Sequence, residues 1–327
     1  MDRPAPPLRS LAVFVGLGAL VYIATVVWAG SQATWTAAAR LGWVALALGT
    51  AVASASYIVR WARWRWMMRC FGHRLPMGYE LRVYFTGLAL TSTPGKLGET
   101  VRSAFLLRHG VRVADSLAAF FADRLSDVIG VALLGAVAAA WAGGRLMLLE
   151  GLAALALLLP FVLRAAVRSR RWAGWLAALQ QCGRPGRWLA AAAFPAAAWA
   201  RLWSPTRAPG FAAAALLAYG LQALVFAHFV AAVALPLPLP QCVAIYASAT
   251  LIGAASMVPA GLGVMEAALA LQLTQAGAAA DAAVAVALLT RLSTLWFGLL
   301  LGALALLSIG AEPAPARSLA IGEAVDG

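Results

Sequence analysis

Six long apolar runs constrain this chain more than any other feature of its sequence. They cover residues 11–30, 41–59, 125–142, 146–163, 211–234 and 282–308. A helix needs about 20 residues to cross roughly 30 Å of hydrocarbon, and the runs approach or exceed that length. They lack the polar–apolar alternation of a transmembrane barrel, and only a helix satisfies its own backbone in lipid. The runs therefore predict an all-α integral membrane protein, a polytopic helical bundle with about six spans.

The net charge of +13 does not indicate a nucleic-acid-binding protein, because 63% of the chain is hydrophobic and only 11% is charged. The arginines gather at the ends of the apolar runs, where they act as topology and headgroup signals. The basic segments 60–82, 96–112 and 164–209 are therefore predicted to be cytoplasmic, with both termini, and to contact anionic lipid headgroups. Residues 164–209 are predicted to lie along the membrane surface as amphipathic helices.

Tryptophan and arginine alternate in the first basic segment. The residues concerned are Arg60, Trp61, Arg63, Trp64, Arg65 and Trp66. Such a pattern is typical of an aromatic and basic belt at the membrane interface, and this is the interpretation that the sequence favours.

Residues 83–93 are too few to span the membrane, yet they separate two basic segments, 60–82 and 96–112, that are both predicted to be cytoplasmic. The piece ends at Thr93-Pro94-Gly95, where a helix should stop. We therefore predict a re-entrant hairpin that turns near the midplane between Pro94 and Gly98. Non-helical backbone is tolerated at that depth only when it is buried in protein or lines a cavity.

The second half of the chain repeats this pattern in the same order. The matched features are Pro94, Gly98 and Glu99 with Pro259, Gly261, Gly263 and Glu266, then Asp115 with Asp281, then Arg124 with Arg291. We predict an inverted repeat of residues 79–142 and 241–308, each with a re-entrant helical hairpin, within one domain that covers residues 1–327. Broken helices that meet at the midplane in inverted repeats are a transporter architecture.

Charged residues inside the apolar segments are the candidate functional residues, because each costs about 3 kcal/mol near the bilayer centre. Arg124 and Arg291 are predicted near the midplane, and Arg291 is the expected partner of Glu266. Glu99 and Arg102 share a helix face, as do Asp123 and Asp127. One interpretation is that these groups are only ion pairs that fix the fold.

The other interpretation is an anion site. Each Pro-Gly turn exposes the N-terminus of a short helix, which favours an anion, and two arginines lie at similar depth. Glu99 and Glu266 would balance the arginines or carry a proton or cation. The predicted substrate-binding set is Pro94, Gly98, Glu99, Arg102, Asp123, Arg124, Asp127, Pro259, Gly261, Gly263, Glu266 and Arg291.

Four motifs resemble the lysylphosphatidylglycerol synthase transmembrane-region family, also called the flippase-like domain family. They begin at Thr93-Pro94-Gly95, Asp123-Arg124-Leu125, Pro259-Ala260-Gly261 and Arg291-Leu292. The resemblance covers about residues 11–308 and implies lipid translocation in the bacterial cytoplasmic (inner) membrane. No segment resembles the family's soluble aminoacyl-transferase domain, so we do not expect lysylphosphatidylglycerol synthesis. Gly95-Lys96 replaces an arginine that precedes Gly-Glu in many relatives, which affects the expected headgroup preference.

The sequence thus favours a non-enzymatic flippase that binds a membrane lipid or lipid-linked substrate, with no cofactor or metal. Two alternatives stay open. One is a membrane-embedded enzyme acting on a polyprenyl phosphate, with Asp123 and Asp127 as Mg²⁺ ligands. The other is an accessory subunit that transports nothing.

Overall fold

The computed structural model describes residues 32–89, 102–141 and 147–310, and these residues are mainly helical. The α-helices are α1 (Gln32–Cys70), α2 (Met77–Ala89), α3 (Arg102–Leu107), α4 (Val113–Trp141), α5 (Met147–Val167), α6 (Arg170–Gln181), α7 (Gly183–Leu202), α8 (Ala208–Ala232), α9 (Leu239–Ala255), α10 (Val264–Gln275), α11 (Ala280–Arg291) and α12 (Phe297–Gly310). A 3₁₀ turn (Pro259–Gly261) joins α9 to α10, and a π-helical turn (Leu292–Trp296) joins α11 to α12.

Within the described residues, three helical stretches are long and apolar enough to cross a membrane: Gly42–Cys70, Ala208–Ala232 and Ala280–Ile309. Two shorter apolar helices, Ala153–Val167 and Leu239–Ala255, accompany them. The all-helical membrane class is therefore confirmed. The count of six spans and the two re-entrant hairpins stay predictions, and the predicted span 11–30 and turn 94–98 lie outside the described residues.

Helices α1 and α8 form a long antiparallel pair at the centre of the bundle. The ring of Trp66 packs against Phe211, Ser56 accepts a hydrogen bond from Gln222, and Gly49 lies against Phe229. Residue numbers rise along one helix as they fall along the other. The small Gly49 permits the close approach, because a Cβ there would lie only 2.8 Å from the Phe229 ring.

The helices that follow α1 and α8, which are α2 and α9, each pack against a helix from the other part of the chain. Helix α2 packs along α12, where the backbone of Ala89 and Phe85 approaches Gly302. Helix α9 packs along α4, where Ala244 joins Ala138 and Ala139 in a small apolar cluster. In each case, the helix that begins one of the predicted repeats (α2 or α9) lies on the helix that ends the other (α12 or α4).

Helix α3 returns beside α2. Tyr79, in the first turn of α2, donates a hydrogen bond of 2.9 Å to the carbonyl oxygen of Phe105 in α3. Arg102, at the start of α3, lies against Gly87 near the end of α2. The two helices are therefore antiparallel neighbours on either side of residues 90–101.

Two predictions for the basic segments need correction. Residues 60–70 continue α1 as a helix, and the side chains of Arg63 and Trp64 are buried, so the belt interpretation is wrong for them. The reason is that α4 offers carboxylates to the arginines of α1. In the segment 164–209, α6 has no buried residue, as a surface helix would. Helix α7 instead packs on α4, and Trp199 within it and Trp203 just after it are buried in the protein.

Candidate functional site

A network of five charges joins α1 to α4. The side chain of Arg63 is fully buried; its Nε lies 3.0 Å from Asp123 Oδ1 and its Nη2 lies 2.7 Å from Asp127 Oδ1. Arg124 Nη2 binds Asp123 Oδ2 at 2.6 Å, and Arg60 Nη2 binds Asp127 Oδ2 at 2.6 Å. Each carboxylate oxygen therefore meets a guanidinium, and these five described groups together carry one excess positive charge.

A simpler arrangement holds Arg291 at the end of α11. Its Nε donates to Glu266 Oε1 at 2.9 Å, and its Nη2 donates to the carbonyl oxygen of Ala260 at 2.6 Å. Its Nη1 approaches the sulfur of Met265 at 3.4 Å. The partner expected for Glu266 is therefore the one observed. The other carboxylate oxygen, Oε2, is buried and has no hydrogen-bond partner within the described structure.

The backbone between α9 and α10 is folded tightly around this arginine. Pro259 begins the 3₁₀ turn, and Ala260 and Gly261 both adopt left-handed backbone with φ of 54° and 64°. A Cβ on Gly261 would lie 3.2 Å from the backbone of Gly253, so the turn requires glycine there. Gly263, also left-handed, precedes the first residue of α10. This conformation directs the Ala260 carbonyl at Arg291.

Between the two arginine centres lies a cavity of about 490 Å³. Its walls come from α1, α4, α8, α9, the turn before α10, α11, α12 and the end of α2. The polar and charged lining residues are Tyr57, Arg60, Arg124, Asp127, Tyr219, Gln222, Tyr246, Thr250, Arg291 and Thr294. Leucine, valine, methionine and alanine side chains form much of the rest. A polar centre with apolar walls suits a headgroup attached to a hydrocarbon chain.

The electrostatics of the cavity favour an anion. Among the described residues, three arginines line it (Arg60, Arg124 and Arg291), against one lining carboxylate, Asp127. Arg60 is also held by Tyr219, whose hydroxyl accepts from Nη2 at 3.0 Å and whose ring lies 5.0 Å from the guanidinium carbon. Guanidinium groups present paired donors that match the geometry of phosphate and carboxylate oxygens.

The predicted site residues separate into three groups in the structure. Arg124, Asp127, Gly261 and Arg291 line the cavity. Asp123, Pro259, Gly263 and Glu266 hold these residues or their backbone in place from outside the lining. Arg102 is apart from them, buried over the ring of Tyr84 at 4.8 Å. Pro94, Gly98 and Glu99 lie outside the described residues.

Sequence reasoning missed Arg60, Arg63 and Tyr219. The sequence did contain a signal for the two arginines. Arg60 and Arg63 are three residues apart, and Asp123 and Asp127 are four apart, so each pair occupies one face of its helix. That spacing matches two helices joined by ion pairs. The positive-inside rule favoured a loop and concealed this pattern.

The aspartates of α4 are poor candidates for Mg²⁺ ligands. Their four oxygens already meet three arginines, and a cation would have to displace those guanidinium groups. Within the described residues, no group of three or more His, Cys, Asp or Glu side chains is placed to hold a metal. The geometry favours an arginine-lined anion site over a metal centre.

Comparison with known families identifies the family of this chain. No curated protein matches the chain. The model of the lysylphosphatidylglycerol synthase TM region matches residues 10–302, most of the chain. That span includes both arginine centres and the cavity between them. The chain therefore belongs to the lysylphosphatidylglycerol synthase transmembrane-region family, whose members are membrane proteins linked to lipid handling.

Proposed function

We propose that this membrane protein is a transporter, not an enzyme, that moves a lipid or lipid-linked amphiphile with an anionic headgroup across a bacterial cytoplasmic membrane. The observation that carries the proposal is the cavity in which Arg60, Arg124 and Arg291 converge from different parts of the chain. Its apolar walls would accommodate the start of the acyl or prenyl chain.

The charge balance supports an anionic headgroup. A bare guanidinium is costly in a hydrocarbon environment, so such residues normally have partners. Arg124 and Arg60 already share the carboxylates of α4, and Arg291 has Glu266 and the Ala260 carbonyl. An incoming phosphate would replace the neutral Ala260 carbonyl with a charged acceptor, which makes a stronger hydrogen bond.

The packing order supports the inverted repeat. If the relation extends to the helix before each half, so that α1 corresponds to α8, α2 to α9 and α4 to α11 and α12, then α1 and α8 should be antiparallel, as their contacts are. The exchange of α2 onto α12 and α9 onto α4 also follows from one two-fold relation. We propose that residues 79–142 and 241–308, each with its re-entrant hairpin, are the two halves of an alternating-access device.

Glu266 is the proposed coupling group. Its Oε1 binds Arg291, and its buried Oε2 has no hydrogen-bond partner within the described residues. A proton on Oε2 would remove the negative charge that competes with the headgroup for Arg291. We propose that this exchange of proton and headgroup accompanies the change of access.

Proteoliposomes test the proposal. Fluorescent anionic, zwitterionic and polyprenyl-phosphate lipids would be reconstituted with wild type, Arg291→Gln, Arg124→Gln and the matched control Arg170→Gln, whose side chain is exposed on α6. We expect translocation of an anionic lipid by wild type and control, reduced at least about tenfold in the two cavity variants, since each loses a charge-assisted contact. Folded wild-type protein that moves none of these lipids would contradict the proposal and favour an accessory role.

A further inference from the structure

A second pocket, of about 400 Å³, lies at one end of the bundle. Its lining residues are Cys70, Phe71, Arg112, Arg168, Arg201, Leu202 and Arg207. Cys70 follows Arg60 by ten residues on α1, and Arg112 precedes Arg124 by twelve. At 1.5 Å per residue, both paths put the pocket roughly 15–18 Å along the helices from the central cavity. The two spaces share no lining residue.

Four arginines converge on this pocket, and the structure gives only one of them an acidic partner. Arg112 binds Asp115 at 2.9 Å, and that carboxylate also accepts His73 at 3.0 Å. Among the described residues, no carboxylate lies within ion-pair distance of Arg168, Arg201 or Arg207. Like charges in one concave space repel each other, and an anion bound there would relieve that repulsion.

The helix ends that carry these arginines are fixed by packing, although the side chains of Arg112, Arg168 and Arg201 are themselves exposed. Arg164 Nε donates to the carbonyl oxygen of Ala200 at 3.1 Å, which joins the end of α5 to the end of α7. Trp203 is fully buried and stacks on Trp199 at 6.1 Å, so the chain that carries Arg201 and Arg207 is anchored beside it. Arginines from separate helix ends are thereby brought to one space.

We infer that this pocket binds a phosphate-bearing anion at the membrane surface, separately from the central cavity. Guanidinium groups bind phosphate through paired, charge-assisted hydrogen bonds. Two sources could supply that chemistry: the headgroup of an anionic phospholipid, and a soluble phosphate or diphosphate.

Cys70 provides the test, because this residue lines the pocket and is partly exposed. In a full-length Cys182→Ser background, the remaining thiols are Cys70 and the buried Cys242. The rate at which N-ethylmaleimide modifies Cys70, followed by peptide mass spectrometry, would be measured in two arms. One arm adds inorganic diphosphate to protein in neutral detergent; the other compares nanodiscs of phosphatidylglycerol and phosphatidylcholine.

Two double variants are compared, and each removes two positive charges. Arg168→Gln with Arg201→Gln removes two exposed arginines that line the pocket, whereas Arg170→Gln with Arg171→Gln removes two exposed arginines of α6 that do not line it. In the diphosphate arm we expect diphosphate to slow the modification of Cys70 in the wild type and in the α6 variant. The pocket variant should need at least about a tenfold higher diphosphate concentration for the same protection. In the nanodisc arm we expect slower modification in phosphatidylglycerol than in phosphatidylcholine, and no such difference in the pocket variant.

Each result has a defined meaning. Protection by diphosphate identifies a soluble anion, protection only in phosphatidylglycerol identifies a lipid headgroup, and protection in both arms identifies phosphate as the shared feature. Unchanged modification in both arms, or an equal effect of the two double variants, would overturn the inference. Neither result depends on whether the central cavity transports lipid.

Discussion

The two arginine centres differ in how completely their carboxylates are satisfied. In the first half, all four oxygens of Asp123 and Asp127 meet arginines around the fully buried Arg63, although Arg60 Nε and Arg63 Nη1 are buried without a hydrogen-bond partner in the described structure. In the second half, Arg291 relies on one oxygen of Glu266 and one backbone carbonyl, and the second Glu266 oxygen has no hydrogen-bond partner in the described structure. A closed network holds helices together, whereas an incomplete one can exchange partners. We interpret the first centre as an anchor and the second as the part that responds to ligand.

Matched amide replacements should separate the anchor from the responsive centre, and Asp123→Asn should have the largest effect. It leaves three arginines with Asp127 as the one full carboxylate of the network. Breaking a buried ion pair from one side costs about 3–5 kcal/mol. We expect a large loss of folded protein, measured by fluorescence-detected size-exclusion chromatography and thermal melting in detergent. Wild-type stability of this variant would contradict the anchor interpretation.

A change of packing tests whether the two halves stabilise each other. A Cβ at Gly302 would lie 2.7 Å from the Phe85 carbonyl oxygen and against the Ala89 backbone, so Gly302→Ala must push α12 away from α2. We expect a loss of about 1–3 kcal/mol in the free energy of unfolding. Gly220→Ala on α8 is the control, because open space surrounds that position and alanine favours helix. Equal stability of the two variants would show that this contact does not hold the halves together.

Glu266→Gln tests the second centre, which we interpret as the part that responds to ligand. The amide oxygen can still accept from Arg291 Nε, and this pair is slightly less buried than Arg63 with Asp123, so the loss of its charge should cost about 1–3 kcal/mol, less than Asp123→Asn. The fold should therefore survive, while transport in proteoliposomes should lose its dependence on a proton gradient. A variant that keeps wild-type coupling would exclude Glu266 as the proton carrier.

The smallest effect is expected at the matched aspartates Asp115 and Asp281. Burial alone would raise the pKa of Asp115, in the first turn of α4 ahead of the apolar run, but hydrogen bonds from Arg112 and His73 outweigh it and lower that pKa. A lowered pKa stabilises the fold above the unfolded value of about 3.9, and the contribution is lost as the pH falls through the folded pKa.

We therefore expect melting temperatures measured from pH 7 to pH 3 to fall less steeply for Asp115→Asn than for wild type. Asp115→Asn should start lower at pH 7 and converge with wild type in acid. Asp281→Asn is the control, since no ion-pair partner of Asp281 lies within the described residues. Parallel curves for wild type and Asp115→Asn would mean that the ion pairs of Asp115 add no stability.

The sequence was sufficient to predict the membrane class and the second of the two arginine centres. The pair of Glu266 with Arg291 was predictable because an isolated carboxylate in an apolar helix requires a partner, and one arginine lay at matching depth. The apolar runs also predicted the positions of α8 and of the joined α11 and α12.

The anchor could not be read in the same way. Arg60 and Arg63 follow an apolar run and are surrounded by tryptophans, a pattern shared by interfacial belts and by helices that continue inward. Only contact with Asp123 and Asp127 distinguishes the two cases, and that contact joins residues 60 or more positions apart. Long-range pairing of this kind is a property of the assembled bundle.

The order of synthesis gives this anchor a further consequence. Arg63 leaves the ribosome 60 residues before Asp123, so α1 reaches the membrane while its arginines lack their carboxylates. Residues 41–59 can enter the lipid at once, but the arginines would each cost roughly 3 kcal/mol there. We expect α1 to wait with its arginine-bearing end at the headgroups until α4 emerges, and then to move inward as the network closes. Glycosylation mapping of truncated nascent chains, ending before and after residue 127, would detect that movement as a change in the depth of α1.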